Sequence, residues 1–222
     1  MFKVGIVIVV LILFIFKKQY TLKKKKKVVM RKPDFVQPLP KPKSKNEMLR
    51  DKIISKFEKS DLKGKYVRNF QVTDISGRTE RIELALLTTK GLLVIKTLSM
   101  CIQLFGSCEE TMTRWPYYKS LKKYEFGYNF NYDNYYFMEN PLISLKEKIK
   151  VIENIDFKYK FYFEPLVVFD SFSLVFNMES VKTTIGLDYV FNKLSEEEDV
   201  YPEERIEYLY SELMKRKFQG GN

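Results

Sequence analysis

The chain contains no histidine and only two cysteines, which narrows the chemistry its side chains can perform. Without histidine there is no Ser-His or Cys-His triad, and no His-ligated zinc, haem or non-haem iron site. Cys101 and Cys108 lack the C-x-x-C spacing and are too few for a zinc ribbon, so the plain reading is two reduced thiols. Neither G-x-x-x-x-G-K-[ST] nor G-x-G-x-x-G occurs, which removes the phosphate-cradling loops of those classes. Carboxylates, lysines, tyrosines and a hard metal ion are what remain for catalysis.

The basic residues offer a second kind of chemistry, attraction to anions. The formal net charge is +11, but its distribution is uneven. Residues 17–46 hold 12 basic residues against Asp34 alone, whereas residues 47–222 hold 26 basic and 27 acidic side chains. The charge therefore belongs to a short segment, and the larger part of the chain is close to neutral.

That segment follows an apolar run. Residues 4–16 (VGIVIVVLILFIF) carry no polar side chain. As a helix they span about 20 Å at about 1.5 Å per residue, against a hydrocarbon core of roughly 30 Å. Lys3 at one end and Lys17 and Lys18 at the other extend the reach by snorkelling. A secretory signal peptide is the rival reading, but no small-x-small site follows, and the heavy positive charge lies after the run. The positive-inside rule then places the C-terminal part in the cytoplasm. The expectation is a single-pass anchor at the cell membrane over residues 1–18 and a Lys/Pro-rich juxtamembrane linker over 19–46. Lys23, Lys24, Lys25, Lys26 and Lys27 are suited to anionic lipid head groups, worth about 1 kcal/mol each near the surface. Pro33, Pro38, Pro40 and Pro42 favour an extended chain. A DNA-binding arm is the other use of such lysines.

Residues 47–222 read as one α/β domain. Asn46 is placed to cap a helix with Leu49, Ile53, Ile54 and Phe57 on one face. Strands are expected over 66–72, 81–88 (RIELALLT), 91–97 (GLLVIKT) and 102–105, the second and third too apolar to be half-exposed and hence central in a sheet. Asn140 and Pro141 open a helix in which Leu142, Leu145, Ile149 and Ile152 share a face. A strand over 161–169 contains Pro165, which points to a bulge or an edge. Residues 187–194 form a short helix. The last helix starts at Pro202, turns Ile206, Leu209, Leu213 and Met214 to the core, and carries charges matched to its dipole.

The segment 82–106 resembles the NERD (nuclease-related domain) family, a branch of the PD-(D/E)XK nucleases. In that family an Ile-Asp-His strand precedes a turn and then Gly, two hydrophobics and Val-Ile-Glu-x-Lys. Here Ile82-Glu83-Leu84 takes the first place, and Gly91-Leu92-Leu93-Val94-Ile95-Lys96-Thr97-Leu98 takes the second. Trp115, Asn140-Pro141 and the late strand ending at Phe169 follow in the family's order, so the likeness covers about residues 47–170. It implies a restriction-endonuclease-like mixed sheet flanked by helices. It also implies a metal held by carboxylates on adjacent strands, with a lysine two residues beyond the second acid.

The departures fall on that chemistry. Glu83 keeps the first carboxylate, but Lys96 stands in place of the second acid and Leu98 in place of the lysine. Asp51, rather than Glu47, is the better candidate for an acid from the first helix, and Ser144 stands where the family often has Gln. An ammonium beside Glu83 repels Mg²⁺, which needs oxygen ligands. The expectation is a relic site at Asp51, Glu83, Lys96 and Leu98, closed by a Glu83–Lys96 ion pair. The chain is then a membrane-tethered, catalytically inactive binding module for nucleic acid or a protein partner, with no small-molecule cofactor. An active Mg²⁺-dependent DNA nuclease with a rearranged site is one alternative, and a membrane-associated structural protein the other.

Ten aromatic residues crowd the stretch 117–137. Rings stack on bases, and Lys119, Lys122 and Lys123 lie beside the first of them. Residues 128–137 contain no basic residue and include Asp133. The favoured reading is a strand or loop covering the sheet with Tyr hydroxyls outermost, and a partner surface comes next.

Overall fold

The structure is a computed structural model, and it describes residues 43–105, 111–124, 127–170, 173 and 180–216. The expected anchor, the lysines at 23–27 and Cys108 lie outside the described residues. Among those described, no helix is long and apolar enough to cross a membrane.

The architecture is α/β, with a mixed sheet flanked by helices. The elements are α1 (Lys45–Lys59), β1 (Gly64–Thr73), β2 (Thr79–Thr88), β3 (Leu92–Leu98), β4 (Ile102–Leu104), β5 (Arg114–Tyr124) and β6 (Gly127–Glu139). They continue with α2 (Pro141–Glu153), β7 (Glu164–Phe169), β8 (Val181–Thr183), α3 (Leu187–Glu196) and α4 (Glu203–Lys215). The main sheet has the order β1-β2-β3-β7-β8. Its first three strands are antiparallel neighbours, and β7 and β8 run parallel to β3. A parallel neighbour needs a crossover, and the chain between β3 and β7 supplies one that contains α2 and a second sheet, β4-β5-β6.

Two apolar cores lie on the two faces of the main sheet. Leu93 and Ile95 of β3 join Leu49, Ile53 and Phe57 of α1 and Phe191 of α3. Leu92 and Val94 join Leu142, Leu145 and Ile149 of α2, Leu209 and Leu213 of α4, and Trp115 of β5. Strand alternation in β3 separates the two sets, and it later decides where Lys96 and Thr97 point.

The helices form where apolar spacing and caps agree. α2 has Asn140 as its cap, the side-chain oxygen accepting from the Leu142 N–H at 2.9 Å, and Pro141 in the first turn where no donor is lost. Asn46 does not cap α1. Ser44 does, accepting from the Glu47 N–H at 3.2 Å, while the Glu47 carboxylate accepts from the Ser44 N–H at 2.7 Å. This reciprocal box satisfies two end donors at once, which an isolated Asn cannot do. Asn46 instead accepts from the Ser99 N–H at 2.8 Å.

Three further expectations are corrected. Pro165 marks neither a bulge nor an edge, because β7 lies between β3 and β8. The Val167 N–H bonds to Ser180 on the β8 side at 2.8 Å. Pro165, two residues earlier, faces the same way before β8 pairing starts at Val167, so no ladder bond is lost. Met214 remains exposed at the edge of α4, whereas Ile206, Leu209 and Leu213 are buried as expected. The aromatic stretch builds β5 and β6 of a separate sheet, of which Trp115, Tyr117 and Met138 pack on the α2-side core.

Candidate functional site

Glu83 sits at a break in the sheet. Asn69 of β1 has φ 52°, a left-handed conformation that asparagine tolerates better than most residues. Arg68 pairs with Leu84 and Phe70 with Ile82, so Asn69 lies across from Glu83 in a gap of the β1–β2 ladder. The β2–β3 ladder also stops at Leu84 and Ile95. Alternation slips at the same place: Ile82 belongs to the α2-side core, yet Leu84, two residues on, belongs to the α1-side core.

The slip sends the Glu83 carboxylate toward α1. There it accepts from the Arg50 guanidinium at 3.0 Å and from the Thr97 hydroxyl at 2.8 Å. The Arg50 side chain is 12% exposed and that of Glu83 32%, so this pair is partly desolvated. Asp51, next to Arg50 on α1, is bound by Lys43 and, at 3.0 Å, by Arg68. The Lys43 hydrogen bond, with the Arg68 charge, holds the Asp51 carboxyl below its usual range. Glu47 is lowered as well, first by the Ser44 N–H of the capping box.

Lys96 faces the other way. By alternation it follows Leu92 and Val94 onto the α2 face, where its ammonium donates to Ser144 at 3.3 Å. Leu98, of the same parity, packs against the α2-side core. The expected Glu83–Lys96 ion pair is therefore replaced: Glu83 pairs with Arg50, and Lys96 is turned to α2. Strand geometry is the reason, since Thr97 and not Lys96 shares a face with the Glu83 carboxylate. Glu83 and Lys96 still line one narrow cleft together with Arg81, Leu145 and Lys148, about 20 Å³ in volume, room for about one water molecule.

Burial pushes the Lys96 amine below its usual range, against the opposing pull of Glu83, with Lys148 adding to the depression. A lysine lowered in this way opposes folding while it is charged in both states. The cost fades as pH rises through the folded-state value toward the unfolded one, where the unfolded chain binds more protons. Lys96→Met is accordingly expected to raise the urea midpoint near neutral pH, the gain shrinking toward pH 10.5; midpoints measured across that range check it.

These residues do not fit a divalent cation. Mg²⁺ calls for several oxygen ligands, but the Glu83 and Asp51 carboxylates are held by arginine or lysine. Among the described residues no group of three or more His, Cys, Asp or Glu side chains is placed to hold a metal. Two larger clefts among the described residues lie elsewhere. One of about 320 Å³ lies between β7, β8 and α3, and one of about 820 Å³ runs beside β1 and α4; neither includes Glu83 or Lys96.

Two site residues escaped the sequence reading. Arg50 lies three and four residues before Ile53 and Ile54, a spacing that put it on the buried face of α1. Thr97 alternates with Leu93 and Ile95, which was equally readable. Both signals were visible in the helix and strand periods.

Fold and site together define an α/β domain with a mixed sheet and a cation-saturated carboxylate cluster at a strand break. Comparison with known proteins finds no matching family model, no matching curated protein and no matching solved structure.

Proposed function

We propose that the chain is a membrane-tethered domain of NERD type whose nuclease site has lost its metal chemistry, and that it acts as a binding module for nucleic acid or a protein partner. The observation that carries this reading is the Arg50–Glu83 pair, a guanidinium seated on the one carboxylate that the resemblance would make a metal ligand. Lys96, turned to Ser144 where the second acid would stand, supports it further. The mixed sheet, with Glu83 and Lys96 on adjacent strands β2 and β3, is compatible with the resemblance. The membrane tether rests on the apolar run at 4–16 and the basic segment behind it.

Incubating the full chain with plasmid and linear DNA in Mg²⁺ or Mn²⁺ is the test, with Glu83→Gln alongside. The expected result is no cleavage above the blank and no difference between the two proteins. Cleavage that requires both metal and Glu83 would overturn the reading and restore an active nuclease.

A further inference from the structure

The second sheet turns an aromatic face to solvent. Tyr132, Tyr135 and Phe137 of β6 are 59%, 58% and 57% exposed. They join Phe105 and Tyr118 in a chain of ring contacts. Phe105 stacks on Tyr118 at 4.3 Å between centroids, and Tyr118 meets Tyr132 edge-on at 5.0 Å. Phe105 also meets Tyr135 at 5.7 Å, and Tyr135 meets Phe137 at 5.5 Å. The register makes the face continuous: Tyr118 lies opposite Tyr135 and Pro116 opposite Phe137, while Trp115 and Met138 turn inward. Rings that are packed on one another and open to solvent mark an interaction surface.

The chemistry of this face favours one occupant. Among the described residues the five rings are uncharged, and the charged residue between Tyr132 and Tyr135 in sequence is the exposed Asp133, an acid, so the face offers little to a polyphosphate backbone, whose binding is dominated by lysine and arginine. Apolar rings tipped with phenolic hydroxyls are the composition that settles at a membrane–water boundary. Position agrees with composition. The chain enters the folded unit at Lys43, and Asn46 is hydrogen-bonded to Ser99, just ahead of β4. Chain entry and second sheet thus share the C-terminal end of β3. Residues 17–42 would span about 30 Å as a flexible coil and about 80 Å if fully extended as polyproline II, so a bilayer holding residues 4–16 lies within reach of that end.

We propose that the aromatic face of the β4-β5-β6 sheet rests in the head-group region of the bilayer, seated by Tyr132, Tyr135 and Phe137, and so fixes the orientation of the domain on the membrane. The inference rests on the tethered reading given above, and its test separates the two.

The full chain, with Cys101→Ser and Cys108→Ser, is reconstituted into phosphatidylcholine/phosphatidylglycerol vesicles that carry nitroxide lipids. A fluorophore is attached through Phe137→Cys or, for comparison, Val200→Cys. Val200 is also exposed, but its N–H bonds to Thr89 at the opposite end of β3. Quenching at 137 is expected to exceed that at 200 several-fold, and Tyr132→Ser with Tyr135→Ser to lower the quenching at 137. Equal quenching at both positions, in protein that still pellets with the vesicles, overturns the docking and leaves the tether standing. Protein that fails to pellet overturns both.

Discussion

Trp115→Ala is expected to cost about 3–5 kcal/mol of folding stability, the largest loss from any single substitution considered for this chain. Trp115 is fully buried and is the largest such side chain among the described residues. It stands on β5 opposite Met138 of β6, and it packs in the same core as Val94 of β3 and Leu142 and Leu145 of α2. With Ile102 and Leu104 of β4, buried in the same core, it ties the second sheet to the main one, and its removal leaves a large cavity there. Against a total of about 5–15 kcal/mol for an ordinary domain, the loss is about a fifth of the whole or more. Tyr135→Ala, on the outer face of the same sheet, should stay within about 0.5 kcal/mol, because a half-exposed surface ring has little burial to lose. Urea midpoints of the two variants, compared at equal slope, check both expectations. A Trp115→Ala loss below that of Tyr135→Ala would mean that the second sheet is not part of the α2-side core.

The contrast between these two aromatic residues also shows what the sequence could and could not convey. The helices were legible: apolar side chains at helical spacing with Asn140 and Pro141 at one start, and acids then bases along the last helix, describe α2 and α4 within a few residues. So were β2 and β3, whose continuous apolar runs require cover on both faces. Residues 115–139 carried no readable period because the β5–β6 register shifts between Tyr118 and Ser120 and again before Lys122. A shift of that kind moves side chains from one face to the other. Tyr132 and Tyr135, of opposite parity, accordingly end on the same face, joined through Tyr118 and Phe105. The three-residue β8 is too short to leave a pattern at all.

The candidate site was half legible for the same reason. Glu83 and Lys96 fall on adjacent strands, β2 and β3, as expected from the sequence. The direction of Lys96 follows plain alternation in β3, but that of Glu83 was not readable, because it depends on one left-handed residue, Asn69, on another strand. A strand read alone is assumed to alternate, and in β2 it does not at Glu83. The Glu83–Lys96 pair expected from the resemblance consequently became a Glu83–Arg50 pair. The arginine came from a helix face judged only for its apolar residues.

That pair carries the second large prediction. Arg50→Met is expected to cost about 2–3 kcal/mol, between the near-zero value of a solvated ion pair and the 3–5 kcal/mol of a fully buried one left without its partner. The placement follows from exposure: the arginine is well covered, but the carboxylate keeps about a third of its surface in water. Glu83→Gln should cost less, because the amide oxygen still accepts from the Thr97 hydroxyl. The double variant should cost less than the two singles together, the coupling that contacting residues show. Denaturation midpoints for the four proteins give the cycle. Millimolar Mg²⁺ added to Arg50→Met is a sharper probe of function, since it asks whether an uncovered Glu83 can hold a cation. The midpoint should not move: ligand binding to the folded state raises stability, but one carboxylate is too few for the ion while Asp51 is held by Lys43 and Arg68. A rise on adding Mg²⁺ would mean that Asp51 leaves its own partners to join Glu83, and that a single arginine on α1 keeps an otherwise competent site closed.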